Sequence, residues 1–120
     1  KENRFQNILI EVNTSGEESK FGVDPKDTID FIRQISEFSH LKILGLMTVG
    51  MFTSDEKIIR NCFRTLKDLF EKIKTENFRN IEMKYLSMGM SNDFEIAIEE
   101  EAHIIRVGTA IFGARENWEK

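Results

Sequence analysis

Leu86-Ser87-Met88-Gly89-Met90-Ser91-Asn92-Asp93-Phe94 reads as the end of an apolar strand that runs into small residues and then opens a helix. Ser91 or Asn92 is the expected helix cap, since both side chains accept hydrogen bonds from first-turn amides. A second run, Ile104-Ile105-Arg106-Val107-Gly108-Thr109-Ala110-Ile111-Phe112-Gly113, repeats the theme of apolar strand and small residues. Small residues beside a helix start leave backbone N–H groups available to an anion such as phosphate. Two such loops at one end of a sheet would form an anion cradle.

Upstream, the pattern alternates. Asn7 to Asn13 is a short, nearly continuous apolar run, as in a strand covered on both faces. A polar loop from Thr14 to Val23 follows, longer than the usual connection of about 2–6 residues. Composition alone leaves it open whether that loop is functional or a solvated turn. Asp24-Pro25 is a helix start, with Ile29, Ile32, Ile35 and Phe38 keeping helical spacing to about Ser39. Leu41 to Val49 is a second strand, in which Gly45 implies a close neighbour or a bend. Thr53 and Glu56 have capping-box spacing. Ile58, Ile59, Cys62, Phe63, Leu66, Leu69, Phe70 and Ile73 mark the apolar face of a long helix. Ile81 to Ser87 is the third strand and His103 to Val107 the fourth, with Ile111 to Arg115 a closing turn. The short helix between those strands carries Phe94, Ala97 and Ile98 on one face and ends in Glu99-Glu100-Glu101, read as a solvated acidic face.

Strict strand–helix alternation predicts a parallel α/β sheet with right-handed crossovers. Four strands make either a small open sheet or half of a (β/α)8 barrel. Short apolar strands, candidate residues after strand ends, and small-residue loops placed last favour the half-barrel, because barrel phosphate sites often follow strands 7 and 8.

Composition narrows the function classes. Of 120 residues, 40% are hydrophobic and 32% charged, which fits one folded domain. The net charge of -4 argues against non-specific binding to nucleic acid or acidic membranes. A single cysteine, Cys62, excludes an intrachain disulfide, fits a reducing, cytoplasmic setting, and is expected in the core. The histidines lie far apart, so no metal site is expected. No run approaches the ~18 apolar residues of a membrane span. The chain opens Lys1-Glu2-Asn3 without an initiator Met, and a piece of a longer protein is expected.

Five segments, in order, resemble a known family. They are Ile10-Glu11-Val12-Asn13, Gly16-Glu17-Glu18-Ser19-Lys20-Phe21-Gly22-Val23, Leu44-Gly45-Leu46-Met47-Thr48, Leu86 to Phe94, and Arg106-Val107-Gly108-Thr109-Ala110-Ile111-Phe112-Gly113-Ala114-Arg115. They look like motifs of the YggS/PROSC proteins, which bind pyridoxal 5'-phosphate (PLP) and serve vitamin B6 homeostasis. The resemblance implies an alanine-racemase-N-terminal-like (β/α)8 TIM barrel about twice this length. Residues 1–120 would be one partial domain, its C-terminal half, strands 5 to 8. The family's lysine that bonds PLP covalently lies on strand 1, and Lys20 does not match it.

Carried over, the resemblance assigns the phosphate cradle to Ser87, Gly89, Met90 and Ser91, completed by Gly108 and Thr109. Arg106 would face the pyridine nitrogen and keep it unprotonated, and Asn13 would face the pocket. The implied role is PLP binding without catalysis, with no catalytic residue in this chain. The alternatives are a PLP-dependent racemase of the alanine-racemase type, for which the only tyrosine, Tyr85, precedes the site, and a barrel enzyme holding another phosphorylated ligand. Two departures stand out: Glu11 where glutamine is usual, and Glu101 where a glycine usually breaks helix from strand. An arginine within an apolar strand needs a partner, and Glu11 is the expected one. His103 is expected to be a strand-edge or capping histidine, and the Glu17, Glu18 and Lys20 loop solvated. Half a barrel leaves sheet edges exposed, so either the rest of a parent chain or a second copy is the expected partner.

Overall fold

Apolar residues with period two and buried rows in register produce four parallel strands. They are β1 (Gln6–Glu11), β2 (Leu41–Met47), β3 (Ile81–Met90) and β4 (Ile104–Arg106). The computed structural model describes residues 5–18, 21–38, 40–76 and 78–107. Gly108, Thr109 and the closing run to Arg115 lie outside the described residues, as do Ser19 and Lys20.

The strands form one sheet in the order β1-β2-β3-β4, each neighbouring pair parallel. Ile10, Leu46 and Leu86 share one row across three strands and are buried against the helices. The next row, Glu11, Met47, Ser87 and Ile104, points to the other face by the alternation of strand side chains. Tyr85 and Ile104 on that second face are more than one-third exposed, 36% and 37%. The architecture is therefore a parallel half-barrel sheet with its helices on one side.

A 3-10 turn, Pro25–Asp27, precedes helix α1 (Thr28–Ile35). Asp24 caps the turn by accepting from the Lys26 amide at 3.0 Å. The helix stops four residues earlier than the spacing predicts, and Phe38 is 60% exposed rather than part of the buried face. Helix α2 (Glu56–Lys74) buries Ile59, Cys62, Phe63, Leu66, Phe70 and Ile73, so Cys62 is a core residue as expected. Its cap is Asp55, which accepts from the Lys57 amide at 3.0 Å; Thr53 instead accepts from the Asp55 amide at 3.2 Å. The Thr53–Glu56 capping box is replaced by this cap two residues later.

Helix α3 (Phe94–Glu99) is short and buries Ala97. The acidic run that ends it is solvated at Glu99 and Glu101, 63% and 71% exposed, but Glu100 is largely covered, and all three are ion-paired. Glu99 and Glu100 accept from Arg60, Glu100 also from Arg64, and Glu101 from Lys67, which ties α3 to α2. Burial pushes the Glu100 carboxyl up, but the Arg60 and Arg64 hydrogen bonds outweigh it and hold it below the usual glutamate range. Glu101 sits at φ +75°, the left-handed conformation that a glycine adopts without cost.

His103 completes the β3–β4 edge. Its amide donates to the Leu86 carbonyl at 2.9 Å, and its Nδ1 accepts the Leu86 amide at 3.0 Å. The histidine thus supplies from its side chain a ladder bond that a strand residue would supply from its backbone.

Candidate functional site

The carboxyl ends of the four strands gather the candidate residues. At β1 the chain turns back on itself: Val12 bridges Val23, and the Asn13 amide donates to the Val23 carbonyl at 2.9 Å. The Asn13 side chain organises the loop between. Its oxygen accepts from the Ser15 and Gly16 amides, both at 3.2 Å, and from the Ser15 hydroxyl at 3.1 Å. Its Nδ2 donates to the Glu17 carbonyl at 2.7 Å. Asn13 therefore shapes the loop after β1, a pattern of Asx-type turns that a lone Asn after an apolar strand can signal.

At β2, Thr48 lies one residue beyond the strand and is 1% exposed. Its amide donates to the Ser87 carbonyl of β3 at 3.0 Å, and its hydroxyl donates to the Val12 carbonyl at 2.7 Å. The Thr14 hydroxyl contacts the Thr48 hydroxyl at 2.9 Å. Sequence reading singled out neither hydroxyl as a site residue. The available signal was the position of each just past a buried strand.

At β3, Ser87, Met88 and Gly89 are buried and Met90 is 39% exposed. Gly89 has φ +106°, and a Cβ there would lie 2.6 Å from the Ala97 Cβ. A glycine is required on both counts, for its backbone angle and for the close approach of α3. Neither Ser91 nor Asn92 is the cap of α3. Asp93 holds that position, and it makes no side-chain bond to the helix. It clamps Met90 instead: its Oδ1 accepts the Met90 amide at 2.7 Å while its own amide donates to the Met90 carbonyl at 3.1 Å. Sequence reading missed Asp93. The Met90 amide is thus engaged by a carboxylate of its own loop.

At β4, Arg106 directs Nη2 to the Thr48 carbonyl at 3.1 Å. Its Nε is buried and has no acceptor among the described residues. The expected Glu11 partner is not used. Glu11 is on β1, three strand steps from β4, roughly 14 Å along the sheet; Thr48 is one strand closer. Ser87, Gly89, Met90 and Arg106 thus come to one edge of the sheet, with Met90 paired to Arg106 in the β3–β4 register.

The alanine racemase N-terminal domain model matches residues 1–116. The chain belongs to that family. It is 43% identical over 116 residues to a pyridoxal phosphate homeostasis protein of Aquifex aeolicus, covering 97% of this chain and 50% of that protein. The chain spans about half the length of the curated relatives it matches. Among solved structures, an unknown protein from Bifidobacterium adolescentis superposes with a TM-score of 0.88 at 40% identity, over 92% of this chain and 44% of that one. PipY of Synechococcus elongatus PCC7942, described with PLP bound, has a TM-score of 0.76 at 26% identity, over 92% of this chain and 50% of PipY.

Among the described residues no group of His, Cys, Asp and Glu side chains could hold a metal ion, and no helix is long and apolar enough to cross a membrane.

Proposed function

We propose that this chain is the part of a PLP-binding homeostasis protein that holds the cofactor's phosphate and the nitrogen edge of its ring. In this reading its strands are strands 5 to 8 of a TIM barrel, and residues 1–120 form one partial domain. The observation that carries the reading is the Arg106 Nε, a buried guanidinium donor lacking an acceptor among the described residues. Such a donor is costly unless something accepts from it. When bound, PLP supplies an anionic phosphate and an electron-withdrawing pyridine ring.

Arg106 is always charged, so it favours a ring nitrogen that stays unprotonated and accepting. The loop after β3 would hold the phosphate through Ser87, Gly89, Met90 and Ser91. Gly108 and Thr109 would complete the cradle, and Asn13 would shape the pocket wall through its loop. For the Met90 amide to serve an anion, Asp93 must first release it. The resemblance puts the covalent lysine elsewhere, so the proposal for these residues is non-covalent holding. The names of the relatives favour a role without catalysis; a cytoplasmic setting belongs to the same proposal and rests on the single cysteine. Tyr85, on the strand ahead of the loop, is not positioned as a base in this reading. The remainder of a parent chain, or a second copy, would cover the half-exposed sheet face.

Purified protein expressed from its whole reading frame, incubated with PLP and desalted, is expected to retain the cofactor and its near-ultraviolet to visible absorption. Colourless protein that takes up none overturns the proposal. Alanine racemisation above background overturns its non-catalytic part.

A further inference from the structure

We infer that Thr48 is a positioning residue that aims the Arg106 guanidinium, with the Thr14 hydroxyl locking it in place. The inference rests on the PLP reading only for its effect on the cofactor. The hydrogen bonds of Thr48 join the residue after β1, and strands β3 and β4, to the end of β2. Its hydroxyl is tied to Val12 at 2.7 Å, its amide to Ser87 at 3.0 Å, and its carbonyl to Arg106 at 3.1 Å.

The two anchors lie on opposite sides of the residue. The amide fixes it to β3 and the hydroxyl to the residue just after β1, so the peptide that follows has little freedom to turn. That peptide's carbonyl is the acceptor for Arg106. Since Thr48 lies past the end of β2, strand pairing of β2 does not fix this carbonyl; the side chain takes over that task.

The direction of the hydroxyl bonds follows from proton counting. A threonine hydroxyl has one proton, and that of Thr48 goes to the Val12 carbonyl. Thr14 is therefore the donor in the hydroxyl pair, 2.9 Å apart. The loop after β1, shaped by Asn13, is coupled in this way to the arginine on β4. A change in that loop would reach Arg106 through two hydroxyls.

The test uses the whole protein, with Thr48→Val, Thr48→Ser and Thr14→Val. Valine keeps the shape of threonine and removes the hydroxyl; serine restores it. Two readouts are taken: the guanidinium N–H signals of Arg106 by NMR without ligand, and the absorption spectrum and affinity of bound PLP. Thr48→Val is expected to broaden or shift the Arg106 signals, to displace the absorption band, and to weaken PLP about five- to tenfold, the worth of one hydrogen bond. Thr48→Ser is expected to restore all three, and Thr14→Val to give a smaller change of the same kind. Should Thr48→Val fail to fold, Thr14→Val and Thr48→Ser carry the test. Unchanged Arg106 signals in Thr14→Val and in folded Thr48→Val overturn the inference. Altered signals in a protein that takes up no PLP support the positioning role and refute the cofactor reading.

Discussion

Arg106 on β4 donates from Nη2 to the main-chain carbonyl of Thr48 at 3.1 Å, reaching past β3 to the end of β2. The guanidinium is thereby oriented by backbone, and no carboxylate among the described residues pairs with it. Its charge stays available to a ligand, and its Nε stays without an acceptor among the described residues. Replacing Arg106 by Met keeps most of the aliphatic stem and removes every donor. We expect the variant to fold and to bind PLP roughly 10- to 100-fold more weakly, the range for a hydrogen bond to a charged group. Equilibrium titration measures this, and wild-type affinity in Arg106→Met would remove the arginine from the site. Lysine should not rescue, because a point charge does not reproduce the planar fork.

Gly45 marks where β2 and β3 touch most closely. A Cβ there would fall 1.8 Å from the Tyr85 carbonyl oxygen, a backbone atom that cannot swing aside. The strand register also shifts between Ile43 and Gly45. Gly45→Ala is expected to cost about 3 kcal/mol or more, at or beyond the upper end for overpacking. Urea denaturation would show it as a lower midpoint, and an unchanged midpoint would mean that the strands do not approach so closely.

Gly89 is crowded by a side chain, so its constraint can be partly relieved. Gly89→Ala places a methyl 2.6 Å from the Ala97 Cβ. Ala97→Gly in the same chain removes that clash and leaves the strain of φ +106°. The single substitution should destabilise by about 2–3 kcal/mol and the double less than the sum of the two singles. A double-mutant cycle measured by thermal or chemical unfolding reads the coupling, and strict additivity would contradict the contact.

Glu101 combines a left-handed backbone with an ion pair to Lys67. The pair raises the Lys67 ammonium pKa, chiefly through the Glu101 hydrogen bond. Its carboxylate end is 71% exposed, where such pairs contribute at most about 1 kcal/mol. A non-glycine residue in this conformation costs about 1–2 kcal/mol, offset in part by the greater freedom of glycine in the unfolded chain. Glu101→Gly is therefore expected to be neutral to stabilising by up to about 1 kcal/mol. Glu101→Gln, which keeps the strain and loses the charge, should be slightly destabilising. A large loss of stability in Glu101→Gly would show that the ion pair dominates.

Glu100 gives the acid response a direction. Its folded pKa lies below the unfolded value because Arg60 and Arg64 hold the charged form against the opposing effect of burial. A depressed carboxyl pKa contributes stability that is fully present above the unfolded glutamate range. That contribution is lost as pH falls through the lower folded value. Glu100→Gln should then melt below wild type at neutral pH, and the gap should close on acidification below the ordinary glutamate pKa. Added salt should narrow the gap at neutral pH. A gap that persists at low pH would assign the effect to packing instead.

Sequence alone determined the order of strands and helices, because hydrophobic period is a local property of the chain. It also marked Gly45 as a close approach or a bend, of which the structure shows the close approach, and Cys62 as a core residue, since each follows from position within a single element. The family was legible too, in short motifs spread from β1 to the last loop. The candidate site was legible only in part. Ser87, Gly89, Met90 and Arg106 are brought to one sheet edge, while Gly108 and Thr109 lie outside the described residues.

Tertiary structure decided the partners. Glu11 and Arg106 look complementary in the sequence, but three strand steps separate them, and Thr48, 58 residues away in the chain, takes the contact. Glu99 to Glu101 read as a solvated run; Glu99 and Glu101 stay exposed, but α2 brings Arg60, Arg64 and Lys67 against the run and covers Glu100. Asp93, next to the expected caps Ser91 and Asn92, turns back to Met90 instead of forward to the helix. Propensity and periodicity are set by neighbours along the chain. The partner of a polar group is set by strand register and helix placement, which exist only once the sheet has formed.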